Sequence, residues 1–128
     1  ALGDNDVDHV IDRLLQAYGR ELELYDEIAD LARDGSRVVR ERRSLDELNQ
    51  LNRRTQERLR EIERVERRVA ADKQAWLDRG RDHARSRELD GLLSRLTAAI
   101  EVILASERET DHWILSGAGL DSSPTQTV

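Results

Sequence analysis

Chemistry near neutral pH most often runs through imidazole, which serves both proton transfer and metal ligation. This chain has three histidines, His9, His83 and His112, each directly preceded by an aspartate. Adjacent residues on a helix point in different directions, so Asp8–His9, Asp82–His83 and Asp111–His112 are not ready-made acid–base pairs. Glu109 and His112 have the Glu-x-x-His spacing that puts two ligands on one helical face, and Asp6 and His9 form a looser analogue. A di-iron carboxylate bundle requires two such helices and two further inward glutamates. The histidines therefore read as surface or capping residues, and no metal ligand is assigned.

Other catalytic patterns are missing. There is no HExxH motif, no phosphate-cradling GxGxxG or Walker-type loop, and no GxSxG nucleophile elbow. Ser106 and Ser116 lie near His112 in sequence without an aspartate placed to orient the imidazole. The chain has no cysteine, which removes thiol chemistry, disulfides and thiolate ligands. No catalytic or cofactor-binding residue is assigned, and the expectation is a non-enzymatic protein.

Charge is the next signal. The formal net charge of −6 conceals a net of −7 over residues 1–36, +6 over residues 37–87 and −5 over residues 88–128. The middle segment carries Arg53, Arg54, Arg58, Arg60, Arg64, Arg67 and Arg68, but Glu57, Glu61, Glu63 and Glu66 are interspersed. An acidic chain with no recognition-domain motif does not read as a nucleic-acid binder. The alternation fits a solvated helix whose charges are partly complemented by acidic neighbours in a folded-back molecule.

The elements that would position these side chains are helices. One proline, Pro124, the fifth residue from the end, leaves long stretches free of helix breakers. Val7, Val10, Leu14, Ala17, Leu24, Ile28 and Leu31 recur three or four residues apart, save the seven from Ala17 to Leu24, and Ile11, Leu15, Tyr18, Leu22 and Tyr25 widen the stripe. A stripe that wide requires more than one neighbouring helix. It predicts a first helix over residues 6–34, with Gly35 as its stop. Ser44 and Glu47 have capping-box spacing and open a second helix along Leu48, Leu51, Ile62, Val65, Val69 and Trp76, interrupted at Thr55, Arg58 and Asp72. Gly80 and residues 81–87 mark the next turn. A third helix follows over residues 89–115, with Leu89, Leu92, Leu96, Ala99, Ile103 and Trp113 as its seam.

Short connections between long helices return each beside the last. The expected fold is all-α: three long helices in an up-down-up elongated bundle with coiled-coil-like packing. Residues 1–117 form one domain and residues 118–128 a flexible tail. No apolar run approaches the roughly 20 residues that span a bilayer, so no membrane insertion is expected. The cysteine-free composition is compatible with a cytoplasmic location.

With no reaction chemistry visible, apolar helix surface is the remaining resource. The Leu92–Ile103 segment is the most apolar stretch, and tryptophan supplies large contact area at binding faces. Leu92, Leu96, Ile103 and Trp113 are the expected partner-binding residues.

Leu14-Leu-Gln-Ala-Tyr-Gly-Arg-Glu-Leu-Glu-Leu-Tyr25, and Leu45-Asp-Glu-Leu-Asn-Gln-Leu51 followed by a long charged helix, resemble the FlgN-like family of flagellar export chaperones. The resemblance covers the organisation of residues 7–115. It departs in the third segment, which lacks an Asn-rich stretch. The resemblance implies a chaperone that masks the C-terminal amphipathic helix of hook-associated export substrates before flagellar type III secretion. The alternatives are a structural helical adaptor or coiled-coil homodimer, and a secretion-associated chaperone with a non-flagellar partner.

Overall fold

The computed structural model describes residues 3–116. Its helices are α1 (Asp4–Arg40), α2 (Leu45–Ala75, prolonged by one π-helical turn, Trp76–Gly80) and α3 (Ser86–Leu115). The expected elongated up-down-up bundle is the fold. At 1.5 Å per residue, α1 is roughly 55 Å long and its partners about 45 Å each. α1 is the spine. Both α2 and α3 pack along it, and their backbones hardly approach one another.

The α1 stripe explains this arrangement, because every member of its 3–4 spacing from Val7 to Leu31 is buried. Near the α2–α3 turn, Ile11, Leu14 and Tyr18 meet Val65, Val69 and Trp76 of α2 and Leu89 and Leu96 of α3 in one core. Farther along, Leu24 and Ile28 meet Ile62, with Tyr25, Leu59 and Ile103 at the margin. Ile100 and Ile114, which broaden the third seam in sequence, are exposed.

The first helix does not stop at Gly35. It continues to Arg40, because Val38 and Val39 become buried there. Burying a valine contributes about 1.5 kcal/mol or more, which outweighs the roughly 1 kcal/mol helix cost of one glycine. Termination is a Schellman motif: the Arg43 amide donates to the Val38 carbonyl at 2.9 Å and the Arg42 amide to Val39 at 3.1 Å. Glycine usually occupies its left-handed position, but here Arg42 does, with φ 55°. Arg42→Gly is expected to raise unfolding free energy by about 0.5–1 kcal/mol, read by urea denaturation. A loss of stability would show that the arginine side chain outweighs its backbone strain.

Ser44 caps α2 as expected, accepting from the Glu47 amide at 3.3 Å. The reciprocal half of the box is replaced, since the Glu47 carboxylate pairs with Arg43 instead. The second connection is also shorter than expected, because α3 begins at Ser86. Gly80 is not a free turn residue but a buried contact. A Cβ there would lie 2.9 Å from Trp76 Cδ1 and 3.3 Å from Val7 Cγ1.

Charge complementation between α1 and α2 runs in both directions. Glu27 pairs with Arg58 at 2.9 Å, but Arg13 reaches Asp72 at 2.8 Å and Arg20 reaches Glu61 at 2.9 Å. Arg85, in the second turn, holds both Asp8 and Asp12 at 2.7 Å. Such exposed pairs contribute about 0–1 kcal/mol each and serve register more than stability. The hydrogen bonds from Arg85 and Arg13 hold Asp8 and Asp72, respectively, below the usual carboxylate range.

Candidate docking groove

Inward positions decide where a three-helix interior is filled. On α2 Thr55 stands between the larger Leu51 and Leu59, its hydroxyl donating to the Leu51 carbonyl. On α3 Ser106 and Thr110 stand between Ile103 and the half-buried Trp113, with the Thr110 hydroxyl donating to the Ser106 carbonyl. On α1 the same level carries Ala32 and Gly35. These side chains are too small to close the space between three long helices. The result is a groove of about 370 Å³ at the α1–α2 turn end of the bundle. Ile28, Leu31, Ala32 and Gly35 form its floor, Leu48, Leu51, Asn52 and Thr55 one wall, and Ile103, Glu107, Thr110 and Asp111 the other. Beside it, the buried Ser36 hydroxyl donates to Glu109 at 2.6 Å and ties α1 to α3.

The four residues expected to bind a partner have different settings. Leu96 is buried in the core, and Leu92 packs partly buried against it. Ile103 lines the groove. Trp113 is half-buried, with the His112 ring meeting it edge-on at 5.8 Å. The groove adds Ile28, Leu31, Leu48 and Leu51, which sequence reasoning placed only in seams. The signal for it was the coincidence of small inward residues on three helices at one level. Seeing that coincidence requires knowing their register.

The Glu-x-x-His spacing does not assemble a ligand set. Glu109 is engaged by Ser36, His9 and His112 are exposed, and the His83 Nδ1 accepts from the Arg85 amide at 3.1 Å. Among the described residues no group of three or more His, Cys, Asp or Glu side chains could hold a metal ion. No helix among them is long and apolar enough to cross a membrane.

One polar feature lies on the α1 face seven residues, or two turns, before Ile28. Glu21 is only 4% exposed, and its Oε2 has no hydrogen-bond partner among the described residues. Burial, then the neighbouring Glu66 carboxyl on α2, raise it to about 8, against a smaller opposing pull from Lys73. The Tyr18 hydroxyl is also buried without a partner, and burial with the charges of Glu66 and Glu21 pushes it up to about 12. Tyr25 is raised by burial and the same two carboxyls. Glu21 and Tyr18 are buried between α1 and α2, whereas Tyr25 and Glu66 are partly exposed at the edge of that interface.

No protein-family model matches the chain, and neither a curated protein nor a solved structure matches it.

Proposed function

We propose that this protein is a non-enzymatic, cytoplasmic helix-binding chaperone or adaptor. The observation that carries the reading is the groove between α2 and α3. It has an apolar floor supplied by α1, two helical walls and a length of about two helical turns, the form in which amphipathic helices are received. The mechanism is coverage: an apolar helix seated there is withheld from self-association until it is passed on. The resemblance in Leu14–Tyr25 and Leu45–Leu51 supports the narrower reading, a chaperone for the C-terminal helix of flagellar hook-associated export substrates. A second reading, a homodimerising structural adaptor, is favoured by the exposed Ile100, Leu104 and Leu115 of α3.

Co-purification with the tagged chain, followed by titration with the C-terminal segments of recovered proteins, tests the proposal. Amide perturbations are expected around Ile28, Leu51 and Ile103. Leu51→Asp sets a carboxylate in the half-buried wall and is expected to weaken binding at least tenfold while helicity holds. Unchanged affinity would remove the groove from the function. Concentration-dependent self-association with no recovered helix partner would favour the adaptor.

A further inference from the structure

The two walls of the groove differ in charge. The α2 wall is neutral, formed by Leu48, Leu51, Asn52 and Thr55, whereas the α3 wall exposes Glu107 and Asp111 one turn apart. Neither acid makes an ion pair or hydrogen bond among the described residues, although Asp8, Asp12, Glu27, Glu61 and Asp72 all do. Like charges four residues apart on a helix repel, and Arg108 is the one Arg or Lys between residues 96 and 116. An uncompensated acidic rim beside an apolar floor defines its complement.

We infer that the groove selects an amphipathic helix whose flank toward α3 carries Lys or Arg on successive turns and whose flank toward α2 is polar and uncharged. This inference rests on the docking reading above and adds to it the partner's charge pattern. The apolar stripe supplies contact with Ile28, Leu51 and Ile103. The basic flank relieves the repulsion between Glu107 and Asp111 and sets which way the helix is rolled in the groove. The Asn52 side chain, exposed and without a hydrogen bond among the described residues, faces the uncharged flank. Charge of this kind determines partner choice and association rate more than raw affinity.

The test uses two labelled peptides about 15 residues long. Both carry leucines three and four residues apart and glutamines along one flank; the other flank carries lysines in one peptide and glutamates in its twin. Fluorescence anisotropy against the full chain is expected to show the lysine peptide binding roughly tenfold more tightly at low salt, with the gap narrowing as salt rises. The double variant Glu107→Lys with Asp111→Lys inverts the order, and Glu107→Gln with Asp111→Asn closes the gap. Glu101→Lys, on the same helix away from the groove, leaves it intact. Equal binding of the two peptides overturns the charge inference and leaves the docking reading standing. An equal shift with Glu101→Lys overturns it too, assigning the preference to overall charge. Binding of neither peptide to the folded chain overturns both readings.

Discussion

Trp76→Ala is expected to cost about 3–5 kcal/mol of unfolding free energy, among the larger losses any single truncation in this chain can produce. The ring is 3% exposed and sits where the π turn ends α2, in the core shared with α1 and α3. Three further contacts fix it. Its indole N–H donates to the Ser86 hydroxyl at 2.7 Å, the Arg81 guanidinium lies over the ring at 5.4 Å, and Gly80 leaves room for its edge. Truncation leaves a cavity and also an unpartnered buried hydroxyl at Ser86. Ser86→Ala separates these effects: it keeps the ring but strands the indole donor, and is expected to cost about 1–3 kcal/mol. Chemical denaturation followed by circular dichroism measures both. A loss below about 1 kcal/mol for Trp76→Ala would mean that the turn end is not the anchor of the bundle.

The anchoring of this end and the gap at the other are one consequence of side-chain size along the helices. Leu89 and Leu96 meet Val65, Val69 and Trp76 in a common core, whereas Ala32, Gly35, Thr55, Ser106 and Thr110 leave the far end open. The periodic stripe on α1 was legible in sequence because period 3.6 depends only on spacing. The capping serine at 44 was legible for the same reason. Gly35 was misleading because a glycine stop is a local signal, overridden by the burial of Val38 and Val39 three and four residues later. The true end, a left-handed Arg42, carries no composition signal at all. Ile103, expected at a partner face, and Leu48 and Leu51, expected only in a seam, all line the groove. Whether a seam leucine meets core or groove depends on what stands opposite it on two other helices. Glu21 shows a different limit: it stands where the stripe of three- and four-residue steps skips from Ala17 to Leu24, so spacing places it inward, but its charge made it read as one more solvated glutamate.

Glu21→Gln is expected to make the protein more stable at pH 8 and to flatten the dependence of stability on pH between about 5 and 8. The reason is proton linkage. Burial and Glu66 raise the folded-state value to about 8 from an ordinary 4.5. Through that window the folded chain keeps a proton that the unfolded chain has released. Stability is therefore fully present below the ordinary glutamate value and is lost as pH rises through about 8. The slope is up to about 1.4 kcal/mol per pH unit, accumulating to a few kcal/mol. Glutamine keeps the shape, cannot ionise, and offers the Glu66 carboxylate an N–H donor in place of the carboxylic O–H. Asp8 and Asp72 respond in the opposite direction and elsewhere: their lowered values contribute stability that disappears only in acid, outside this window. The measurement is urea unfolding of both proteins at half-unit steps from pH 5 to 9. Parallel curves for wild type and Glu21→Gln would show that Glu21 is ionised and solvated in the folded chain. Curves that lie closest near pH 5, separate as pH rises to about 8 and run parallel above it would support a carboxyl held neutral inside the α1–α2 interface.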